Sequence, residues 1–440
     1  MSDIKVRFAP SPTGFMHIGN TRTALFNWLL SAKLGGRFML RIDDTDAQRS
    51  KKEYEDAIRD ALIWLGLEWS EEARQSARVE RYNEVTEKLK ADGRIYACYE
   101  TPEELEFMRK RLLNKGLPPI YDRQALNLTR EQIAKYEAEG RRPHYRFKLL
   151  DGDIVWHDLV RGECRYSEKN LSDPVVIRED GSFLYHLPSV IDDADFGITH
   201  IVRGEDHVTN TAAQIQMFEA VGGKIPAFAH LPLLTGKEGK LSKRLGSLGV
   251  RELRADGVEP MAISSFLAKL GTSDPVEPFY SLKDLAGTLD FAKIGRAQPK
   301  FDEEELKHFN TRLIHAMPYA MVKERFSVTE EFWNAVRGNL DKLSDIKMWS
   351  DICFAELSPV MEDAELTNMA AELLPAEPWN EETFGAWLNE VKTQSSKKGR
   401  ELFHPLRKAL TALENGPELK ILLPFIGRER AYKRLKGEKA

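Results

Sequence analysis

The first ninety residues alternate short apolar runs with segments of helical periodicity. Ile4 to Ala9 (IKVRFA) reads as a strand, and Pro10 and Pro12 bracket a loop. From Thr21 to Leu34 the residues Leu25, Trp28, Leu29 and Ala32 recur at helical spacing, and Gly35-Gly36 stops the helix. Arg37 to Ile42 (RFMLRI) is a second strand running into the acidic loop Asp43-Asp44-Thr45-Asp46, and Glu53 to Leu67 is amphipathic. Strands separated by helices of about a dozen residues predict βαβ units and a parallel sheet. From Ile95 to Pro188 the pattern changes to a charged helix (Glu103 to Asn114), a turn at Pro118-Pro119 and short β-rich pieces (Tyr145 to Leu150, Asp153 to His157), which predicts an insertion. The α/β pattern resumes at Ile198 to Val202, continues through a helix from Asn210 to Val221 and reaches the apolar Phe228 to Leu234. Beyond Glu259 the residues favour helix, in two blocks divided near 320.

Length agrees with several units, since 440 residues exceed what one hydrophobic core normally serves. With 42% hydrophobic residues, each region can bury a core, which excludes disorder over most of the chain. No run approaches the roughly 20 apolar residues of a membrane helix, and the N-terminus passes directly into a strand, so a cytoplasmic protein is expected. The three cysteines, Cys98, Cys164 and Cys353, form no close pair, which fits a reducing compartment rather than a disulfide framework.

The net charge of −5 is less informative than its distribution. Residues 397–440 carry 12 Lys/Arg against 5 Asp/Glu, whereas residues 321–396 carry 6 against 15. A basic segment after an acidic one suits a phosphate-binding face, and suits equally a solvated helical surface.

Two segments carry candidate chemistry. In PSPTGFMHIGN (Pro10 to Asn20) a strand leads through a Pro/Gly-rich turn into a helix whose first N–H groups lack intrahelical partners, an anion site. His17 can donate to phosphate oxygens there, or simply cap the helix, and Gly19 allows close backbone approach. The second, KLSKR (Lys240 to Arg244), puts three cations on a loop with Gly236, Gly239 and Gly246, where Lys240 and Lys243 can stabilise a pyrophosphate leaving group. The first is the stronger signal; alone, the second is weak.

Together, about 220 residues apart, they resemble the two signature motifs of class I aminoacyl-tRNA synthetases. The stretches RFAPSPTG, GGRFMLRIDDTD, DLVRGE, YHLPSVIDD, ITHIVRGEDH and FAHLPLLTG, and PLRKALTALENGPELKILLPFIGRERAYKRL near the end, resemble the bacterial-type glutamyl-tRNA synthetases. The resemblance implies a Rossmann-like parallel-sheet α/β catalytic domain (1–95 and 189–255), an inserted acceptor-end-binding domain (96–188), a helical stem-contact region (256–320) and an all-α anticodon-binding region (321–440). It implies ATP, with Mg2+, as a substrate bound by His17, Gly19, Asn20, Asp206, Leu233 and Lys243, with His17, Lys240 and Lys243 catalytic. Glutamate would be held by Arg7, Ser11, Asp43, Tyr185 and Arg203, Arg203 pairing its side-chain carboxylate rather than Glu205 or Asp206. The partners implied are L-glutamate and tRNA(Glu), with tRNA(Gln) open as a second acceptor, and a monomer is expected. A glutaminyl enzyme, a queuosine-modifying glutamyl transferase and a non-catalytic tRNA-binding paralogue are the alternatives. The helical C-terminus, the length and the intact motifs respectively argue against them.

Two departures stand out. Asp43 occupies a position where many bacterial members have glutamate; a carboxylate one methylene shorter can still accept from the substrate ammonium, directly or through water. Several members hold zinc through a Cys-x-Cys pair and a later Cys-x-Tyr-like element, whereas here YACYETPEE has only Cys98, with Glu100 in place of the second cysteine, and YDRQALNL has none. One thiolate is not a tetrahedral site, so no structural zinc is expected, and packing around Tyr96, Tyr99 and Tyr121 is expected to hold the knuckle.

Overall fold

The computed structural model describes residues 4–236 and 248–440, apart from the side chain of Glu381. They form two compact units, residues 1–255 with 263–303, and residues 256–262 with 304–440.

The first unit is built on strands β1 (Lys5–Phe8), β2 (Arg37–Ile42), β3 (Glu71–Arg74), β6 (Asp153–Asp158), β7 (Gly162–Ser167), β9 (His200–Gly204) and β10 (Ala227–Leu231), in the order β3-β2-β1-β9-β10-β6-β7. Every neighbouring pair is parallel except the β6–β7 hairpin. Strands β4 (Ile95–Cys98), β5 (His144–Phe147) and β8 (Val175–Ile177) make a separate antiparallel sheet in the order β4-β5-β8. All four residues of β1 are buried, as a central parallel strand requires, and its two cations are paired: Lys5 with Glu71 at 2.6 Å and Arg7 with Asp193 at 3.1 Å.

The helix after β1, α1 (Ile18–Leu34), starts three residues before the apolar periodicity predicts, because His17 caps it. It ends where Gly35 takes a left-handed φ of 63°. At Gly36 a Cβ would lie 2.6 Å from the carbonyl oxygen of Ile4, so the helix can fold back onto β1 only with glycine there. Leu25, Phe26, Leu29 and Leu30 are buried, each stabilising the unit by about 1.5–3 kcal/mol. The next helices are α2 (Lys52–Leu65), α3 (Val79–Ala91), α4 (Pro102–Asn114), α5 (Arg130–Ala138), α6 (His186–Asp195) and α7 (Val208–Val221). Neither α3 nor α6 is evident from sequence. Helix α6 carries Pro188 in its first turn, where no N–H is required, and buries Asp192 and Asp193 along with Leu187, Val190 and Ile191.

Strands β6 and β7 fall in the stretch 96–188 that the sequence assigns to an insertion, yet they extend the main sheet through Phe228 of β10 and Asp158 of β6. Alternation explains it: Ile154, Trp156 and Asp158 are buried and Asp153, Val155 and His157 are exposed, the pattern of a half-buried edge hairpin.

In the second unit the opposite charge blocks find each other. Lys436 pairs with Glu372, Lys439 with Glu356, Lys408 with Glu362 and Lys397 with Asp363. Arg434 is fully buried, donating to the carbonyls of Ile352, Leu410 and Ala355 at 2.7–3.0 Å. Much of the basic tail is therefore spent within the unit rather than left as a free cationic face.

Candidate active site

The strand order reverses between β1 and β9, and in open α/β sheets the crevice beyond the carboxyl ends of such strands is where ligands bind. A cavity of about 450 Å3 opens there. Of the residues singled out in the sequence, Arg7, Ser11, His17, Gly19, Asn20, Tyr185, Arg203, Asp206 and Leu233 all line it. They come from the end of β1, the loop after it, the first turn of α1, the start of α6, the end of β9 and the loop after β10.

At one side, His17 Nδ1 accepts from the backbone N–H groups of Gly19 (3.1 Å) and Asn20 (3.3 Å). Capping and chemistry are thus not alternatives. With Nδ1 committed as an acceptor, the neutral ring carries its proton on Nε2, leaving a donor free. Partial desolvation lowers the His17 pKa below 6.5, and the two donors at Nδ1 disfavour a second proton. A Cβ at Gly19 would come within 3.1–3.2 Å of this ring, so glycine lets the imidazole lie over the helix end. Lys240 and Lys243 lie outside the described residues. Leu234, before that segment, lines the cavity, and Leu248, after it, accepts from the N–H of Ile18 at 3.2 Å. The described residues that flank the segment thus lie beside the first motif.

Across the cavity Arg203 is 5% exposed, and no carboxylate lies within ion-pair distance of it among the described residues. Glu205 pairs instead with Arg161 at 2.9 Å, and Asp206 lies 3.7 Å from His207. Neutral groups hold the Arg203 guanidinium: Nε donates to His230 Nε2 (3.3 Å), Nη1 to the Tyr185 hydroxyl (3.0 Å), and Nη2 to Thr211 Oγ1 (2.6 Å) and Gln214 Oε1 (2.7 Å). His230 is set in turn by Asp158, whose Oδ2 is 2.6 Å from Nδ1, both side chains being fully buried. Burial opposes the charge on Asp158, but the bond to His230 and backbone N–H donors outweigh it and lower its pKa. The Nδ1 proton therefore points to Asp158 and Nε2 faces Arg203 as an acceptor. Burial lowers the Arg203 pKa, yet an arginine remains protonated at neutral pH. The site holds a buried cation bound directly by neutral groups, with the charge of Asp193 supporting it from a distance.

Asp43 is different. Both its oxygens are taken by Arg41, at 2.7 and 3.1 Å, it is 4% exposed, and it does not border the cavity. It belongs to a buried cluster in which Arg41 also binds Asp193 at 2.7 Å and Asp193 holds Arg7. Burial alone would raise Asp193, but Arg7 and Arg41 outweigh it and keep its pKa below the usual carboxylate range.

Sequence reasoning missed Arg22, His207, and the His230–Asp158 pair. Arg22 is 2% exposed, lines the cavity, and donates to the carbonyls of Pro232 (2.8 Å) and Leu270 (3.1 Å). Its place one helical turn after Gly19 was the available signal. His230 and Asp158 had none, since 72 residues separate them.

Residues 3–308 match the catalytic domain of the class I tRNA synthetases (E and Q), and residues 289–438 match an anticodon binding domain. The chain belongs to the class I tRNA synthetases of the E and Q type. Among similar proteins, a glutamate–tRNA ligase of Maricaulis maris is 51% identical over 443 residues, covering 99% of this chain and 100% of its own. One from Azospirillum brasilense is 52% identical over 445 residues, with 99% and 100% covered. The solved glutamate tRNA ligase of Elizabethkingia meningosepticum in complex with its amino acid superposes with a TM-score of 0.82 at 28% identity, covering 99% of this chain and 98% of that one. No described helix of this synthetase is long and apolar enough to cross a membrane.

The histidines give the synthetase a predictable acid response. Burial first, then the charge of Arg203, pushes His186 and His207 down to about 4, with Asp206 opposing at His207. Between 6.5 and about 4 the unfolded chain binds protons that the folded chain does not, so stability falls as pH falls through that window. Thermal melts should show the midpoint dropping from pH 6.5 to 4, less steeply in His186→Gln. An identical pH slope in that variant would refute the assignment.

Proposed function

We infer that the chain is a glutamate–tRNA ligase, which activates L-glutamate with ATP and transfers it to the terminal ribose of tRNA. The observation that carries the choice of amino acid is Arg203: a buried guanidinium without a carboxylate partner among the described residues, at the side of the cavity opposite the helix terminus and His17. A carboxylate side chain supplies the missing charge, whereas the amide of glutamine would leave the cation uncompensated, a difference large in a desolvated site. Arg7, held by Asp193, and Tyr185, held by Arg203, complete the proposed glutamate pocket, with Ser11 at its rim.

In the first step an oxygen of the glutamate α-carboxylate attacks the α-phosphorus of ATP, supplied as its magnesium complex, and the bond to the bridging oxygen of the β-phosphate breaks, releasing pyrophosphate. Negative charge moves onto phosphate oxygens beside the N-terminus of α1, where the helix dipole favours it and His17 Nε2–H can donate. Gly19, Asn20, Asp206 and Leu233 border the space assigned to the nucleotide. Lys240 and Lys243 are assigned to the leaving pyrophosphate on sequence grounds. In the second step a terminal ribose hydroxyl attacks the carbonyl carbon of the mixed anhydride and AMP leaves. No side-chain nucleophile is needed.

For tRNA, we assign its acceptor end to the part of 96–188 outside the main sheet, its stem to 256–320 and its anticodon to 321–440. Incubation of the enzyme with ATP, labelled glutamate or labelled glutamine, and purified tRNA(Glu) or tRNA(Gln) tests the reading. Charging with glutamate and not glutamine is the expected result, and the acceptor tRNAs used decide whether tRNA(Gln) is also a substrate. Charging with glutamine alone would overturn it.

A further inference from the structure

The first turns of α1 and the loop after β10 both border the cavity, and one side chain bridges them. Arg22 is 2% exposed and lines the cavity with Gly19, Asn20 and Thr23. Its Nη1 donates to the carbonyl of Pro232 at 2.8 Å and its Nη2 to the carbonyl of Leu270 at 3.1 Å. Proline has no N–H, so its carbonyl is the one backbone polar group by which the chain at 232 can be held. Neighbouring positions are fixed from other directions. The N–H of Leu233 donates to Glu205 Oε1 at 3.2 Å, and the N–H of Thr235 donates to the carbonyl of Pro299 at 3.0 Å. Arg22 supplies the tie from the helix that His17 caps.

A buried arginine that only stabilises a fold spends all its nitrogens, and the second unit contains one. Arg434 uses Nε, Nη1 and Nη2 together on the carbonyls of Ala440, Ile352, Leu410 and Ala355. Arg22 differs. Its Nε is a buried atom without a hydrogen-bond partner, although buried polar atoms are nearly always paired. No carboxylate lies within ion-pair distance of it among the described residues, and burial alone pulls its pKa down to about 10, which leaves it charged at neutral pH. The Phe26 ring, with its centroid 5.2 Å from the guanidinium, compensates weakly. A desolvated cation balanced by two carbonyl dipoles is costly to keep. A ligand of high negative charge in the same cavity offsets that cost, and the triphosphate of ATP is such a ligand.

We propose that Arg22 is a positioning residue for the nucleotide: it fixes the loop 232–234 to the first turns of α1, so that these two borders of the ATP space keep their spacing, and it sets a positive charge behind them for the polyphosphate. With Nη1 and Nη2 occupied and Nε buried, it acts through Pro232 and through its field rather than by touching the reacting atoms. The inference rests on the ligase reading for the identity of the nucleotide. It adds a residue that the motif resemblance does not assign to ATP. Misplacement by about 1 Å of groups that position a substrate can cost a hundredfold, so loss of the tie is expected to be felt strongly and by one substrate only.

Calorimetric titration of the full-length enzyme with ATP and Mg2+ reads this whatever amino acid is activated. Arg22→Gln is expected to weaken ATP binding about tenfold or more and to raise KM for ATP by a similar factor in tRNA-dependent pyrophosphate exchange, with KM for glutamate within about twofold of wild type. Arg22→Lys keeps the charge but lacks the fork that reaches two carbonyls, and its ATP affinity should fall between the two. Arg434→Gln removes a buried arginine of the structural kind and should lower the melting temperature with ATP affinity unchanged. If Arg22→Gln does not fold by circular dichroism, the milder Arg22→Lys carries the test. The proposal is overturned if the folded Arg22 variants bind ATP as tightly as wild type, if KM for glutamate rises as much as KM for ATP, or if Arg434→Gln weakens ATP binding as much as Arg22→Gln. Failure of the wild type to charge glutamate would refute the amino-acid assignment alone, because the ATP affinities of the variants still decide the role of Arg22.

Discussion

Replacing His17 by alanine is expected to slow glutamyl-adenylate formation about a hundred- to thousand-fold, the loss typical when one preorganised donor to transition-state charge is removed, about 2.7–4 kcal/mol. Two functions leave together in that variant. The cap over the Gly19 and Asn20 N–H groups is worth about 1 kcal/mol of stability, and the Nε2 donor is worth the rate. His17→Asn separates them, since asparagine is a good N-cap but is too short to place a donor where Nε2 stands. It should restore most of the melting temperature and little of the rate. Pyrophosphate exchange in the presence of tRNA reads the rate, and thermal unfolding reads the cap. If His17→Asn recovers both in parallel, His17 is a capping residue only. Lys243→Ala, argued from the KLSKR motif, is expected to cost at least as much as His17→Ala.

Arg203→Gln is expected to lower kcat/KM for glutamate by about thirtyfold to several thousandfold, because removing one charge from a buried, fully hydrogen-bonded arrangement typically costs about 2–5 kcal/mol. The loss should fall mainly on KM for glutamate, with KM for ATP nearly unchanged, as expected of a contact to the non-reacting end of the substrate. Asp158→Asn makes a finer test. The amide introduced there would no longer require the proton at His230 Nδ1, so the imidazole could turn its N–H toward Arg203 and collide with a donor it now accepts from. We expect a smaller loss, again in KM for glutamate, without any effect on ATP. Equal losses toward both substrates would mean that Asp158 and His230 merely hold β6 against β10.

Sequence by itself determined the parallel α/β class, the helix stop at Gly35-Gly36 and the chemistry of PSPTGFMHIGN, because each depends on residues adjacent in the chain: periodicity, a left-handed glycine and a helix terminus. The resemblance carried by short motifs located Arg7, Tyr185 and Arg203 as well, and the structure places them around one cavity with His17. Tertiary structure alone decided what each buried charge is paired with. Nothing in the spacing around Asp43 shows that Arg41, two residues before it, occupies both its oxygens. The opposite charge blocks near the C-terminus leave a phosphate face and a solvated surface equally open until helices distant in sequence bring Lys436 to Glu372 and Lys408 to Glu362. Cys98 reads as a lone thiol until strand pairing sets His144 across from it. The physical reason is common to all three: ionisable side chains must find partners or lose their charge when desolvated, and which partners they meet is set by packing and strand register, which local spacing does not encode.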